Sequence, residues 1–495
     1  MKEHPIKSVR RAGVPLVAFE TSDPKLTIET IMKAVTEKNK NLPLLSWDLI
    51  NGLSGINNTG KVASDSIAPD GPAMTLNPAE CLNLLAQKAV EGMVVFMHNA
   101  QKIIKNEAVI QGMWNLRDIF KANRCTLVLL CPSISLPEEL KNDCVIISEN
   151  LPSLEEIEAI IDQICKDAEI PVPANKTKIS DALLGLSAFA AEQVLAMSIT
   201  VEGIDVTGLW ERKRKMIEQT PGLSVWRGTE KFSDVGGCDN VKAFLKQILN
   251  GRKAPRAIAF IDEIEKCLAG ASGDMSGVSQ DYLSTLLTYM QDKQCAGLIF
   301  IGPPGAAKSA MAKAAGNEAG IPTISVDLGG MKGSLVGESE QRLRDALKII
   351  DAVSQNQTLF IATCNSFGTL PPELKRRFTL GTFFFDLPSK EERDSIWKIY
   401  EKKYDIEPNT KRPTDTGWTG AEIKQCCDIS WRLNRDLEYA SSFIVPVSVS
   451  AKETIDTLRK QANKKFISAS NTGLYEYGYT EEAPKVNSTR KFNNN

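Results

Sequence analysis

The stretch 257-AIAFIDEIEKCLAG-270 decides how the chain is read, because 299-IFIGPPGAAKS-309 follows it instead of preceding it. The first is an apolar run ending in the acidic pair Asp262 and Glu263, and the second opens into a small-residue loop carrying Lys308 and Ser309. In 302-GPPGAAKS-309, the residues Gly302, Pro303, Pro304, Gly305, Ala306 and Ala307 allow successive backbone N–H groups to curl around an anion. Lys308 is then placed to reach the β and γ phosphates of ATP, and the Ser309 hydroxyl to ligate Mg2+. The run that starts at Ala310, AMAKAAGNEAG, is a strong helix former whose positive end points at the phosphates. Asp262, at the carboxyl end of a strand, suits Mg2+ bound through water, and Glu263 suits polarisation of the attacking water.

One letter departs from the usual GxxxxGK[ST] form, since Ala307 stands where glycine precedes the lysine. A methyl group is accommodated there only if the backbone avoids dihedrals reserved for glycine, so reduced affinity or turnover is one expectation. Asn365 follows the strand-like 359-LFIATC-364 and can hold the water or the γ phosphate. Arg376 and Arg377 in 373-ELKRRF-378 can reach a neighbouring subunit's γ phosphate. Asp386, in a strand-to-turn segment, is given no catalytic role, and His98 reads as a turn or partly buried residue.

Working outward, 495 residues leave room for two to four domains. The 59 Lys and Arg against 61 Asp and Glu give no bulk charge for a polyanion, so nucleic acid is not implied as a partner. The eleven cysteines are scattered, with only two histidines to join them, which points to reduced, buried thiols instead of a disulfide or metal framework. No apolar run reaches the length that spans a bilayer, and the basic N-terminus lacks a secretion signal's apolar core, so a cytoplasmic location is expected.

Residues 1–170 alternate strand and helix patterns: 93-MVVFM-97, a helical 110–122, 125-CTLVLLC-131, and a helix from Leu154 if Ser153 caps it. A Pro-rich piece precedes a segment over 178–225 that reads as a lid-like and connecting region, with 178–200 helical and a charged helix from Glu211. A second α/β core covers 226–389, a helical lid 390–470, and a tail 471–495 reads as poorly ordered apart from a Tyr-rich docking segment. The stretch 127–156 lines up with 359–392, both containing Leu-Pro-x-Glu-Leu and then Leu-Pro-Ser, which argues for a duplicated module. The first copy lacks the phosphate loop and has 95-VFMHNA-100 where the second has 259-AFIDEI-264, so it reads as catalytically empty.

The segments 232-FSDVGG-237, 302-GPPGAAKS-309, 337-GESE-340, 259-AFIDEIEK-266, 361-IATCNS-366, 371-PPELKRRF-378 and 417-GWTGAEI-423 together resemble the classical branch of the AAA ATPases. Within it the chain is similar to the uncharacterised AAA proteins encoded by plastids and cyanobacteria. The resemblance implies a P-loop NTPase module of α/β class with a rewired parallel sheet and helical lid, preceded by a degenerate AAA-like α/β module. It also implies ATP and Mg2+ as ligands, a homo-oligomer forming a hexameric ring, a protein substrate, and a plastid stroma as an alternative location. It assigns Lys308 and Ser309 to the nucleotide, Asp262 and Glu263 to magnesium and water, Asn365 as first sensor, and Arg377 with Arg376 as trans-acting arginines. The family's substrate-gripping loop corresponds to 332–340, with Leu335 where many members carry an aromatic.

The family's usual chain order has the phosphate loop before the acidic strand. Its spatial strand order survives here if two helical crossovers each skip one extra strand, about 5 Å farther across the sheet. The expected activity is Mg2+-dependent ATP hydrolysis coupled to remodelling or regulated assembly of a protein partner. The alternative is an ATP-binding scaffold with little turnover.

Overall fold

The computed structural model describes residues 4–37, 39–149, 151–171, 173, 175–200, 203–268, 278–331, 338–366, 370–407 and 410–478. The chain divides into two compact units, 1–209 and 210–495.

In the first unit, strands β1 (Leu16–Glu20), β2 (Leu44–Asp48), β3 (Gly52–Gly55), β4 (Val94–His98), β5 (Thr126–Cys131) and β6 (Cys144–Ser148) form one sheet in the order β3-β2-β4-β5-β1-β6. All neighbours are parallel except β2 and β3. β5 is buried at every position, as a strand covered on both faces must be. Leu16 and Ala18 pack on one side with Leu82, Met113 and Leu116, while Val17 and Phe19 pack on the other with Ile6 and Ile31. This is the period-two alternation of a strand sandwiched between helices. Ser153 caps the helix Leu154–Asp167 reciprocally with Glu156.

The segment 178–200 is not one helix. Gly185, at φ +91°, and the cap Ser187 divide it into Lys176–Leu183 and Ala188–Ala196. It ends in the two-residue strands β7 (Ile199–Thr200) and β8 (Gly203–Ile204).

The second unit carries β9 (Leu223–Val225), β10 (Ala257–Ile261), β11 (Ala296–Ile301), β12 (Thr323–Val326), β13 (Thr358–Cys364), β14 (Thr382–Phe384) and β15 (Ile467–Ser468). Their order is β15-β14-β11-β13-β10-β12-β9, parallel except at the β12–β9 edge. Along β10, Ala257, Ala259 and Ile261 face one core, and Ile258 and Phe260 face the other. AIAFI is therefore a central strand by composition, and both of its neighbours, β13 and β12, pair with it in parallel.

Five strands of each unit share one arrangement: β6-β1-β5-β4-β2 in the first and β14-β11-β13-β10-β12 in the second. The first unit visits those places in the order β1, β2, β4, β5, β6, whereas the second fills the β4 place before any other. Two connections absorb the difference. The helix Val278–Asp292 carries the chain from β10 past β13 to β11, and Glu338–Ser354 carries it from β12 past β10 to β13.

Helices Lys390–Lys403, Gly420–Leu433, Leu437–Ser441 and Lys452–Ala462 follow, with Trp397, Trp418, Ile423 and Cys427 in a core of their own. The chain then returns to the sheet at β15. Of the tail expected from 471, Tyr475 is buried against Phe384 and its hydroxyl donates to Asp386 Oδ2 at 2.6 Å. Asp386 also accepts from Arg459 Nε at 2.8 Å, so its part is to fasten the end of the chain. Residues 479–495 lie outside the described residues.

Candidate nucleotide site

β11 delivers the chain into the 302–307 loop, and the helix Lys308–Ala319 leaves it. Gly302 is required by close approach, since a β-carbon there would lie 2.1 Å from the Phe385 carbonyl oxygen. Ala307 has φ +66° and ψ +12°, the left-handed region, so the loop adopts the backbone that glycine would take and bears the strain of a methyl group. The condition under which an alanine would fit freely is not met.

Lys308 is buried and its ammonium donates to the carbonyls of Gly302 at 2.8 Å and Pro303 at 2.7 Å. Burial lowers its pKa to about 8, against the opposing pull of Glu265, Asp262 and Glu263. The Ser309 hydroxyl donates to Asp262 Oδ1 at 2.7 Å, although the two residues come from connections that run in the unexpected order. β10 and β11 both end at the same edge of the parallel sheet, separated only by β13, and this brings the pair together.

β13 supplies the next layer. Its Thr363 hydroxyl donates to Asp262 Oδ1 at 2.5 Å and accepts from the Glu263 N–H at 2.9 Å. Asn365 Nδ2 donates to Glu263 Oε1 at 3.0 Å, and the Asn365 N–H donates to Glu265 Oε1 at 2.8 Å. Glu263 also forms an ion pair with Lys266. Sequence reading singled out Asp262, Glu263, Lys308, Ser309 and Asn365 but passed over Thr363, Glu265 and Lys266. The one signal for Thr363 was a hydroxyl near the end of an otherwise apolar strand.

Ser309 and Asp262 offer hard oxygen donors, which fit Mg2+, an ion that keeps several waters and takes further oxygens from substrate phosphates. Among the described residues, no group of three His, Cys, Asp or Glu forms a self-sufficient metal site. Pro304 and Ala310 are exposed beside the loop, and Ala306 is buried. Thr419, the cap of the helix Gly420–Leu433, would meet a β-carbon on Gly305 at 2.8 Å, so this helix start lies on the loop. Its Oγ1 is buried and, among the described residues, has no hydrogen-bond partner.

Arg376 is exposed, and Arg377 donates to Gln291. Among the described residues no hydrogen bond or ion pair joins either arginine to Asp262, Glu263, Lys308 or Ser309. The loop 332–337, including Leu335, lies outside the described residues.

The corresponding place in the first unit is built differently. After β1 a three-residue turn leads into the helix Pro24–Thr36. There Asp23 Oδ1 accepts from the Leu26 N–H, and Oδ2 accepts from the Phe189 N–H at the start of Ala188–Ala196, each at 3.2 Å. Thr27 donates to Glu149 Oε2 at 2.5 Å, and burial raises the pKa of that carboxyl. A carboxylate, Asp23, thus caps the helix that follows β1, and a second, Glu149, is bonded to Thr27 one turn on. Asn99 is left-handed at the end of β4, as Glu263 is at the end of β10, and His98 bonds to Ser46 at 2.9 Å.

Three family models match the chain: "SpoVK-like AAA ATPase, N-terminal domain" over 2–148, "SpoVK-like AAA ATPase, second domain" over 155–220, and "ATPase family associated with various cellular activities (AAA)" over 298–354. The last begins at the phosphate-loop strand and does not include Asp262 and Glu263. An "uncharacterized AAA domain-containing protein ycf46" from Guillardia theta is 23% identical over 92% of this chain and 94% of its own length. Its namesake from Trieres chinensis is 24% identical over 84% and 85% respectively. An "ATP-dependent zinc metalloprotease FtsH" from Mycoplasma pneumoniae is 40% identical, but only over 25% of this chain and 17% of its own. Among the described residues, no helix is long and apolar enough to cross a membrane. The chain thus has the P-loop fold and the domains of an ATP-hydrolysing enzyme of the AAA type, and it resembles the ycf46 proteins over most of its length.

Proposed function

We propose that the second unit hydrolyses ATP at the edge shared by β10, β11 and β13, using an acidic strand transposed ahead of its phosphate loop. The observation that carries this is the 2.7 Å contact between Ser309 and Asp262. In this reading the 302–307 loop cradles the phosphates, and Lys308 leaves the loop carbonyls to neutralise them. Ser309, with Asp262 through water, would hold Mg2+, which would screen the phosphate charge. Glu263 orients the attacking water and accepts its proton, while the Asn365 amide fixes Glu263 and the γ phosphate side of the site. Arg377, with Arg376, completes the site of a neighbouring copy in a homo-oligomer, a hexameric ring by likeness to AAA proteins.

Turnover is coupled to remodelling or regulated assembly of a protein partner. The first unit, with Asp23 capping the helix that follows β1, serves as a scaffold that holds no ATP. A cytoplasmic or stromal setting follows the same likeness. A second reading, an ATP-gated scaffold with little turnover, draws on the strained Ala307 and on the pairing of Glu263 with Lys266.

Specific ATPase activity measured across protein concentrations that span assembly tests the proposal. Activity per chain that rises with concentration and collapses in Arg377→Ala supports a shared site. Activity independent of concentration and of Arg377 would confine the chemistry to single chains, and ATP binding without turnover would favour the scaffold.

A further inference from the structure

We propose that Thr363 is a positioning residue for ATP hydrolysis, clamping both members of the acidic pair through one hydroxyl; the inference rests on the proposed roles of Asp262 and Glu263. Thr363 is fully buried, one step beyond the last register pair of β10 with β13, Ile261 with Ala362. A threonine serving only to fill a strand could satisfy its hydroxyl on a nearby backbone carbonyl. This one instead spends its proton on Asp262 Oδ1 and its lone pair on the Glu263 N–H.

Both bonds act where the backbone needs them. Glu263 has φ +49°, a conformation that glycine and asparagine visit readily and glutamate does not. The first unit makes the same turn after β4 with Asn99, which tolerates it, and there β5 presents Leu130 and Cys131, neither of which has a hydroxyl. The second unit places a glutamate at that point and adds the threonine that ties down its N–H. The same hydroxyl orients Asp262 Oδ1, which also accepts from Ser309, so one group sets the metal-side carboxylate and the direction in which Glu263 leaves the strand.

The test is steady-state ATP hydrolysis by the full chain, titrated with Mg2+ and with ATP, for wild type, Thr363→Val, Thr363→Ala and Thr363→Ser. Loss of an outer group that orients a metal ligand typically costs about 10–100-fold in metal affinity or activity. Val and Ala should therefore share a loss of that size in kcat and a Mg2+ midpoint moved upward, with ATP binding in EDTA unchanged. Ser should recover most of both, because it restores the hydroxyl. Ala guards against a fault caused only by a valine methyl against the carboxylate. Wild-type kcat and Mg2+ midpoint in a folded Val or Ala variant would overturn the inference, as would a Ser variant as impaired as both. A wild type that binds ATP without hydrolysing it would instead overturn the functional reading beneath it.

Discussion

Replacing Ala307 with glycine should stabilise the second unit, which is the opposite of what the same exchange does three residues later. Ala307 sits at φ +66°, where an L-residue with a β-carbon is strained by about 1–2 kcal/mol. Glycine removes that strain, but gives back about 0.4–1 kcal/mol through the greater freedom of its unfolded chain. The balance is a gain of about 0.5–1 kcal/mol, or a melting shift of roughly 1–4 °C for a unit of this size. Ala310, exposed in the first turn of Lys308–Ala319, has a helical backbone, and there Ala→Gly should cost up to about 1 kcal/mol. Calorimetric melts of the two variants beside wild type, without nucleotide, measure both signs at once. A Tm for Ala307→Gly that falls with that of Ala310→Gly would refute the claim that the loop is strained.

Lys308 supplies a pH dependence. Its pKa is depressed to about 8 from an ordinary 10.5, so the folded chain binds fewer protons than the unfolded chain between those values. The stability penalty of this group is therefore full below about pH 8 and fades as pH rises toward 10.5. Phosphates that restore a full ammonium should draw in a proton, so calorimetry at pH 9 should show an ATP-binding heat that varies with buffer ionisation enthalpy; no variation would contradict this. In the first unit, Asp23→Ala removes the acceptor at two helix starts and should cost about 1–2 kcal/mol in its unfolding free energy. Equilibrium dialysis should still find one ATP per chain, abolished by Lys308→Ala, and a second bound ATP would show that the first unit is not empty. Tyr475→Phe should destabilise the second unit by about 1.5 kcal/mol in denaturant unfolding, because it removes a donor to the Asp386 carboxylate; an unchanged midpoint would reduce the contact to packing.

That AIAFI, GLIFI and LFIAT are buried parallel strands was legible because each is apolar on both faces, whereas their order across the sheet was implied by the resemblance to AAA proteins and not by composition. Asp262 and Asn365 sit just beyond the carboxyl ends of β10 and β13, and Lys308 and Ser309 open the helix that follows the loop after β11, so all four gather at one edge of that sheet. The backbone of Ala307 could not be read, because alanine favours helix and nothing local announces a left-handed turn. Thr363 was hidden for a related reason: a β-branched residue in a buried strand reads as packing, and its hydroxyl acquires meaning only once β10 lies beside it. The break at Gly185 was passed over because its neighbours continue an apolar helical pattern. The role proposed for Arg376 and Arg377 needs a neighbouring copy, which a single chain does not supply.

The central claim is that an acidic strand placed ahead of the phosphate loop completes a working site. Mg2+-dependent ATP hydrolysis by wild type beside Glu263→Gln, at matched ATP occupancy, tests it most directly. The account predicts turnover in wild type and its loss in the variant while ATP remains bound. Equal rates in the two proteins would contradict it, because the water would then be activated by something other than the transposed strand.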